Sequence, residues 1–179
     1  MVELDYAQLN PMLAYAKVRC SPPPGDAYAL PGLEDHRDGV KKVFNALLFD
    51  TEPRERFPKG VNVKFRRKAK IGDVIHAIYE KHPRLKAVLG TGAGFGLMFL
   101  ESEIMMRVLE CLQEKGVVGL PVHDAVIVKA SKVEEAMAVM KDAFKRQTGS
   151  EIEVRLESPS ASVRTATGPT ASQAHPWDF

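Results

Sequence analysis

Residues 117–128 read Val-Val-Gly-Leu-Pro-Val-His-Asp-Ala-Val-Ile-Val, and the fold turns on how that stretch divides. Val117 to Leu120 and Ala125 to Val128 are short β-type runs, and Pro121-Val122-His123-Asp124 between them breaks a strand and reverses the chain. The expected element is a hairpin carrying Asp124 at or beside its turn. Upstream, from about Leu97 to Lys115, Ile104, Met105, Val108, Leu109 and Leu112 line one face of a long amphipathic helix. Downstream, Ser131 and Glu134 have the spacing of a capping box, opening a helix to about Gln147 that stops at Gly149. Glu151 to Glu157 alternates Ile152, Val154 and Leu156 and predicts a strand.

The N-terminal half follows the same logic. Val2 to Ala7 predicts a short apolar strand ending at Asn10-Pro11, with Asn as helix cap and Pro at the first helical position. Met12 to Arg19 is expected to be helical, and the three prolines between Ser21 and Gly25 force a loop. Val40, Val43, Phe44 and Leu47 mark a second helix from about Asp35 to Phe49. Glu52 to Lys70, with prolines and no sustained period, predicts an exposed loop, and helix returns over Ile71 to Glu80 and briefly after Pro83. Strand, helices, hairpin, helix and strand together give an α+β layout, a mixed or antiparallel sheet with helices on one face. One domain is expected over residues 1–157; residues 158–179, rich in Ser, Ala, Thr and Pro, predict a disordered tail.

Composition narrows the class. In 179 residues, 45% hydrophobic content supplies one core. The net charge is only +2, yet Glu52 to Lys70 holds eight Lys or Arg against two Glu, so one edge should attract polyanions. Cys20 and Cys111 lack both the spacing of a zinc site and a disulfide framework, which points to reduced thiols and a cytoplasmic setting. No signal-peptide pattern or long apolar run is present, so no membrane partner is expected.

Two aspartates stand in unusual places. Asp5 lies inside an apolar strand and Asp124 between two strands; carboxylates near a sheet are costly to bury unless paired or bound to a cation. Brought together they would repel, and two Mg²⁺ or Mn²⁺ ions are the usual remedy. A plainer account also fits, in which Asp5 caps a turn and Asp124 closes a hairpin. Arg37, Lys41 and Asn45 fall at four-residue steps on one helix face, where they form either a triphosphate-binding row or a solvated surface.

The order and setting of these residues resemble the family A nucleic-acid polymerases, which include DNA polymerase I. Asp5-Tyr6-Ala7-Gln8-Leu9 resembles the first palm motif of that family, and Val122-His123-Asp124 resembles its Val-His-Asp hairpin motif. Arg37, Lys41 and Phe49 match positions of its fingers helix, so residues of about 35–70 would form reduced fingers on a palm. The resemblance implies template-dependent nucleotidyl transfer to a primer 3′ end. Asp5 and Asp124 would hold two Mg²⁺, with the backbone carbonyl of Tyr6 as a further ligand. Arg37, Lys41, Asn45, Phe49, Gln8 and Asn10 would surround the nucleoside triphosphate, and Lys41 would protonate the departing pyrophosphate. His123 would support the hairpin or contact the primer end. Lys64, Arg66, Arg67 and Lys68 would neutralise primer-template phosphates, with Phe65 stacking on a base.

Three positions depart from the family pattern. Asn10 replaces a Glu that blocks the ribose 2′-hydroxyl, Asn45 replaces a stacking aromatic, and Ala125 replaces an acidic neighbour of Asp124. No thumb, exonuclease domain or upstream palm is recognisable, so the sequence reads as a fragment, a trimmed relative, or one part of a split enzyme in which a second chain would supply thumb and upstream palm. Two other readings use the same residues: a non-catalytic or split palm remnant that binds nucleic acid or a replication partner, and a relative of the phage-type RNA polymerases. Gly90, Gly92, Gly94 and Gly96 lack a phosphate-loop ending and are expected to form a flexible connection. Glu101 and Glu103 are expected to serve the dipole at the start of the long helix. The aromatic ending Trp177-Asp178-Phe179 is a candidate docking segment.

Overall fold

A central strand formed by the first residues of the chain organises the sheet. The computed structural model describes residues 1–61, 65 and 69–157, and the expectations for Lys64, Arg66, Arg67, Lys68 and the 158–179 tail lie outside the described residues. β1 (Val2–Tyr6) is followed by α1 (Leu9–Lys17), α2 (Arg37–Phe49), α3 (Ile71–Lys81), α4 (Gly94–Glu114), the hairpin β2 (Leu120–Val122) and β3 (Ala125–Val128), α5 (Val133–Thr148), and β4 (Val154–Glu157). The sheet order is β2-β3-β1-β4 with every pairing antiparallel, so the expected α+β layout holds. Among the described residues no helix is long and apolar enough to cross a membrane.

Register sorts the side chains into two faces. Leu4 pairs with Val126 and Val2 with Val128, while Tyr6 pairs with Val154. Leu4, Tyr6, Val126, Val128 and Val154 are buried on this face. The Tyr6 hydroxyl donates to the Met140 carbonyl at 2.7 Å, and its ring lies 5.8 Å from Phe144, which fixes α5 against this side. The alternate residues Glu3, Asp5, Ala125, Ile127 and Arg155 lie on the opposite face. That second face is where a binding surface remains open.

Local chemistry moves several boundaries. α4 ends in a Schellman motif: Gly116 takes φ +65° and donates to Gln113, and Val117 donates to Leu112 at 2.8 Å. Val117 therefore belongs to the helix stop, and the first hairpin strand begins at Leu120 rather than Val117. Pro121 sits inside β2 because β2 is an edge strand. The pair closing a two-residue turn, Val122 and Ala125, is the hydrogen-bonded type, so Pro121 opposite Val126 needs no donor.

α1 also begins earlier than expected. Gln8, in left-handed conformation at φ +56°, is the residue before the helix, and Asn10 and Pro11 fall in its first turn instead of acting as cap and first residue. The first four amides of a helix have no intrahelical acceptor, so Pro11 loses nothing there. Ser131 is not the expected cap of α5, because a 3₁₀ turn over Ala130–Lys132 intervenes and Lys132 precedes the helix. The glycine cluster is not a flexible connection. Gly90 donates to Leu47 and Gly92 to Asp50, while Gly94 and Gly96 lie in the first turn of α4. A Cβ on Gly94 would stand 2.8 Å from the Phe49 ring, so only glycine allows α4 to approach α2 so closely.

His82 anchors the proline loop. It is fully buried, with Nε2 donating to the Ala27 carbonyl at 2.9 Å. The carbonyl can only accept, so Nδ1 is the unprotonated nitrogen and accepts from the Tyr15 hydroxyl at 2.9 Å. Burial lowers its pKa from the usual 6.5. The unfolded chain then takes up the proton first, and stability from this group, present above pH 6.5, is lost on acidification. Tyr15→Phe leaves Nδ1 buried without a donor and is expected to cost about 1–3 kcal/mol, read from the urea midpoint at pH 8. An unchanged midpoint would show that the bond does not matter.

Candidate active site

β1 and the hairpin turn bring the two aspartates to one end of the open sheet face. Asp5 is the fourth residue of β1 and lies opposite Ala125 on one side and Arg155 on the other. Asp124 follows His123 in the turn that joins β2 to β3, immediately before Ala125. His123 takes φ +54°, the positive value that tight hairpins require at this kind of position and that His tolerates better than branched residues. Strand pairing and turn geometry, rather than proximity in sequence, therefore place Asp124 beside Asp5.

The electrostatics single out Asp5. Burial, then Asp124, then Glu157 push the Asp5 carboxyl up to about 6, and Lys41 and a hydrogen bond from the Tyr6 backbone oppose the rise. Asp5 Oδ1 is buried with no hydrogen-bond partner. A buried carboxylate oxygen is stabilised by a proton or by a cation. Asp5 and Asp124 fit a magnesium-type site that keeps several waters and takes further ligands from substrate phosphates. Among the described residues no three His, Cys, Asp or Glu side chains converge as a preformed metal cluster. The Tyr6 ring is turned toward α5, so only its main chain faces the aspartates.

α2 brings its polar row to the same place. Lys41 is exposed and acts electrostatically on Asp5. Arg37 is already engaged, with its Nε and Nη2 on the Asp26 carboxylate and its guanidinium 5.3 Å over the Tyr28 ring. The pairing holds the Asp26 carboxyl below its usual range even though burial acts the other way. Asn45 Oδ1 is buried without a partner, like Asp5 Oδ1. Phe49 ends the row, part-exposed, with its ring edge-on to Phe95 at 5.4 Å. Gln8 is partly committed, because its Oε1 accepts the Ala27 amide at 2.5 Å, and Asn10 is half-buried in the first turn of α1.

Two sequence expectations fail here for packing reasons. Phe65 is buried, stacked on Phe57 at 5.0 Å and against His36 at 5.5 Å, and its ring would meet a Cβ on Gly39 at 2.7 Å. It fills a core gap and is not presented to a base. Glu101 does not open α4, which begins at Gly94. It stands in the second turn, on the side of the helix that buries Leu97, Ile104 and Val108, and burial and Asp124 raise its pKa while His123 lowers it. The signal in the sequence was a carboxylate four residues from Leu97 and three from Ile104, on an apolar stripe.

No protein-family model matches this chain, and no curated protein matches it.

Proposed function

We propose that this chain is the palm and reduced fingers of a template-dependent nucleotidyltransferase that extends a primer 3′ end. The observation that carries the reading is the pairing of Asp5 with Asp124 at one end of the open sheet face, with an orphaned Asp5 oxygen and Lys41 beside it. In such a site two divalent cations supply activation of a hydroxyl and charge stabilisation at the leaving phosphate oxygen. Asp5, Asp124 and the Tyr6 carbonyl would hold Mg²⁺ or Mn²⁺. Lys41 would orient the triphosphate and donate a proton to the departing pyrophosphate, while Arg37, steadied by Asp26, would meet the distal phosphates. Asn45, Phe49, Gln8 and Asn10 would border the sugar and base. Primer-template nucleic acid would be the macromolecular partner, with a thumb and upstream palm supplied by a second chain or by further sequence of the same protein.

Primer extension on a short template with Mg²⁺ or Mn²⁺ tests the reading, with deoxynucleotides and ribonucleotides supplied separately. Templated products are expected, and Asp124→Asn is expected to reduce the rate about a thousandfold or more. Folded wild-type protein that binds primer-template without extending it would favour a non-catalytic or split remnant. Extension with ribonucleotides only would favour the RNA polymerase relative.

A further inference from the structure

α4 is apolar on two sides. Leu97, Ile104, Met105, Val108 and Leu112 are buried against the rest of the fold. On the opposite side Phe95 is 68% exposed, Phe99 65%, Met106 58% and Met98 56%. These four stand at i, i+4, i+11 and i+3, so they form one outer stripe along most of the helix. Single exposed apolar residues are ordinary, but four large ones aligned on a helix mark an interaction surface.

The edge of the stripe identifies its occupant. Glu103, Arg107, Glu110 and Glu114 follow one another at helical spacing along one side, all but Arg107 exposed, and Arg107 is already paired with Glu110 at 3.2 Å. The row is net acidic, so it repels phosphate, and the stripe faces away from the side on which Glu101 meets Asp124. A second copy of the chain is also disfavoured, because an antiparallel two-fold pair through this stripe sets each acidic row against its own copy. What complements both features is an apolar ridge bordered by cations.

We propose that the outer face of α4 docks an amphipathic helix of another polypeptide whose apolar stripe is edged with Lys or Arg. The inference is independent of the catalytic reading. Phe99 and Met106 enter the partner's grooves, with Phe95, edge-on to Phe49, marking the end of the contact, and Glu103 and Glu114 meet its basic edge.

The test uses the full chain and two fluorescein-labelled helical peptides with the same leucine stripe, one edged with Lys and one with Glu. Fluorescence anisotropy at physiological salt is expected to show at least about tenfold tighter binding of the Lys-edged peptide. Phe99→Ser combined with Met106→Ser is expected to lose that binding by a similar factor without lowering the melting temperature, since both side chains are exposed. Equal binding of the two peptides, or binding indifferent to the double substitution, overturns the proposal. So does a concentration-dependent dimer in sedimentation that the substitutions abolish, which would make a second copy the occupant. Trp177 is the chain's one tryptophan; emission that shifts red on the same substitutions would assign the stripe to the chain's own tail and overturn the proposal as well. A short single-stranded oligonucleotide whose binding the substitutions weaken would do so in favour of nucleic acid.

Discussion

Asp5→Asn is expected to make the cation-free protein more stable at pH 8 and to remove any stabilisation by Mn²⁺. In the folded state the carboxyl titrates at about 6, against 3.8 for an ordinary Asp. Between those values the folded chain holds a proton that the unfolded chain has lost, so stability falls as pH rises through about 6. At pH 8 the ionised group is a net cost that the amide removes. Each pKa unit corresponds to about 1.4 kcal/mol, but Asp5 is only half-buried, and solvent screening reduces the expected gain to about 1 kcal/mol. Below pH 4 the two proteins should melt alike. Differential scanning fluorimetry from pH 4 to 8, with and without Mn²⁺, reads both effects. A variant less stable than wild type at pH 8, or one with an undiminished Mn²⁺ response, would remove Asp5 from any metal site.

The second large effect is structural and is expected at Phe44. Its ring is fully buried, edge-on to Tyr28 at 5.7 Å and to His82 at 5.6 Å. It therefore joins α2 to the loop that His82 and Lys81 hold in place. Phe44→Ala opens a cavity that neighbouring rings cannot close, with an expected cost of about 3–5 kcal/mol. Against a typical total of about 5–15 kcal/mol, that is enough to unfold much of the protein near physiological temperature. Chemical denaturation should show a lower midpoint with an unchanged slope. A loss below about 1 kcal/mol would mean that the α2 contact is not part of the cooperative core. Because Lys41 and Asn45 ride on the same helix as Phe44, nucleotide binding at the proposed site should weaken in parallel.

How much of this was legible in the sequence follows from the range of the forces involved. The periodic apolar faces of α2, α4 and α5, and the β-type runs at Leu4 and Val126, act over a few residues and announced their elements. The stop at Gly149 was equally readable, since it requires only a left-handed residue after the last turn. The errors lie where distant residues intervene. The start of β2 depended on Val117 donating to Leu112, and the start of α4 on Gly94 making room for a ring 45 residues earlier in the chain. Misplacing that start turned Glu101 into a presumed dipole partner, although it stands on the side of α4 that faces the core. Phe65 was invisible as a core residue because the space that receives it is made by Gly39 on another element. For the candidate site, the identity of Asp5, Asp124 and Lys41 came from the sequence. Their electrostatic coupling, the engagement of Arg37 by Asp26, and the orphaned oxygens of Asp5 and Asn45 arise only in the folded chain.

The central position of β1 also bears on the order of events during synthesis. Val2 to Tyr6 leaves the ribosome well before its two sheet neighbours, β3 and β4, which lie more than a hundred residues later. At about 5–20 residues per second, the strand waits on the order of ten seconds with Leu4 and Tyr6 uncovered. The aspartates cannot meet before the hairpin has emerged, so a nascent or truncated chain exposes an aggregation-prone strand and no assembled site. Emergence of the chain through β3 and β4 is the step that both protects β1 and assembles the pair.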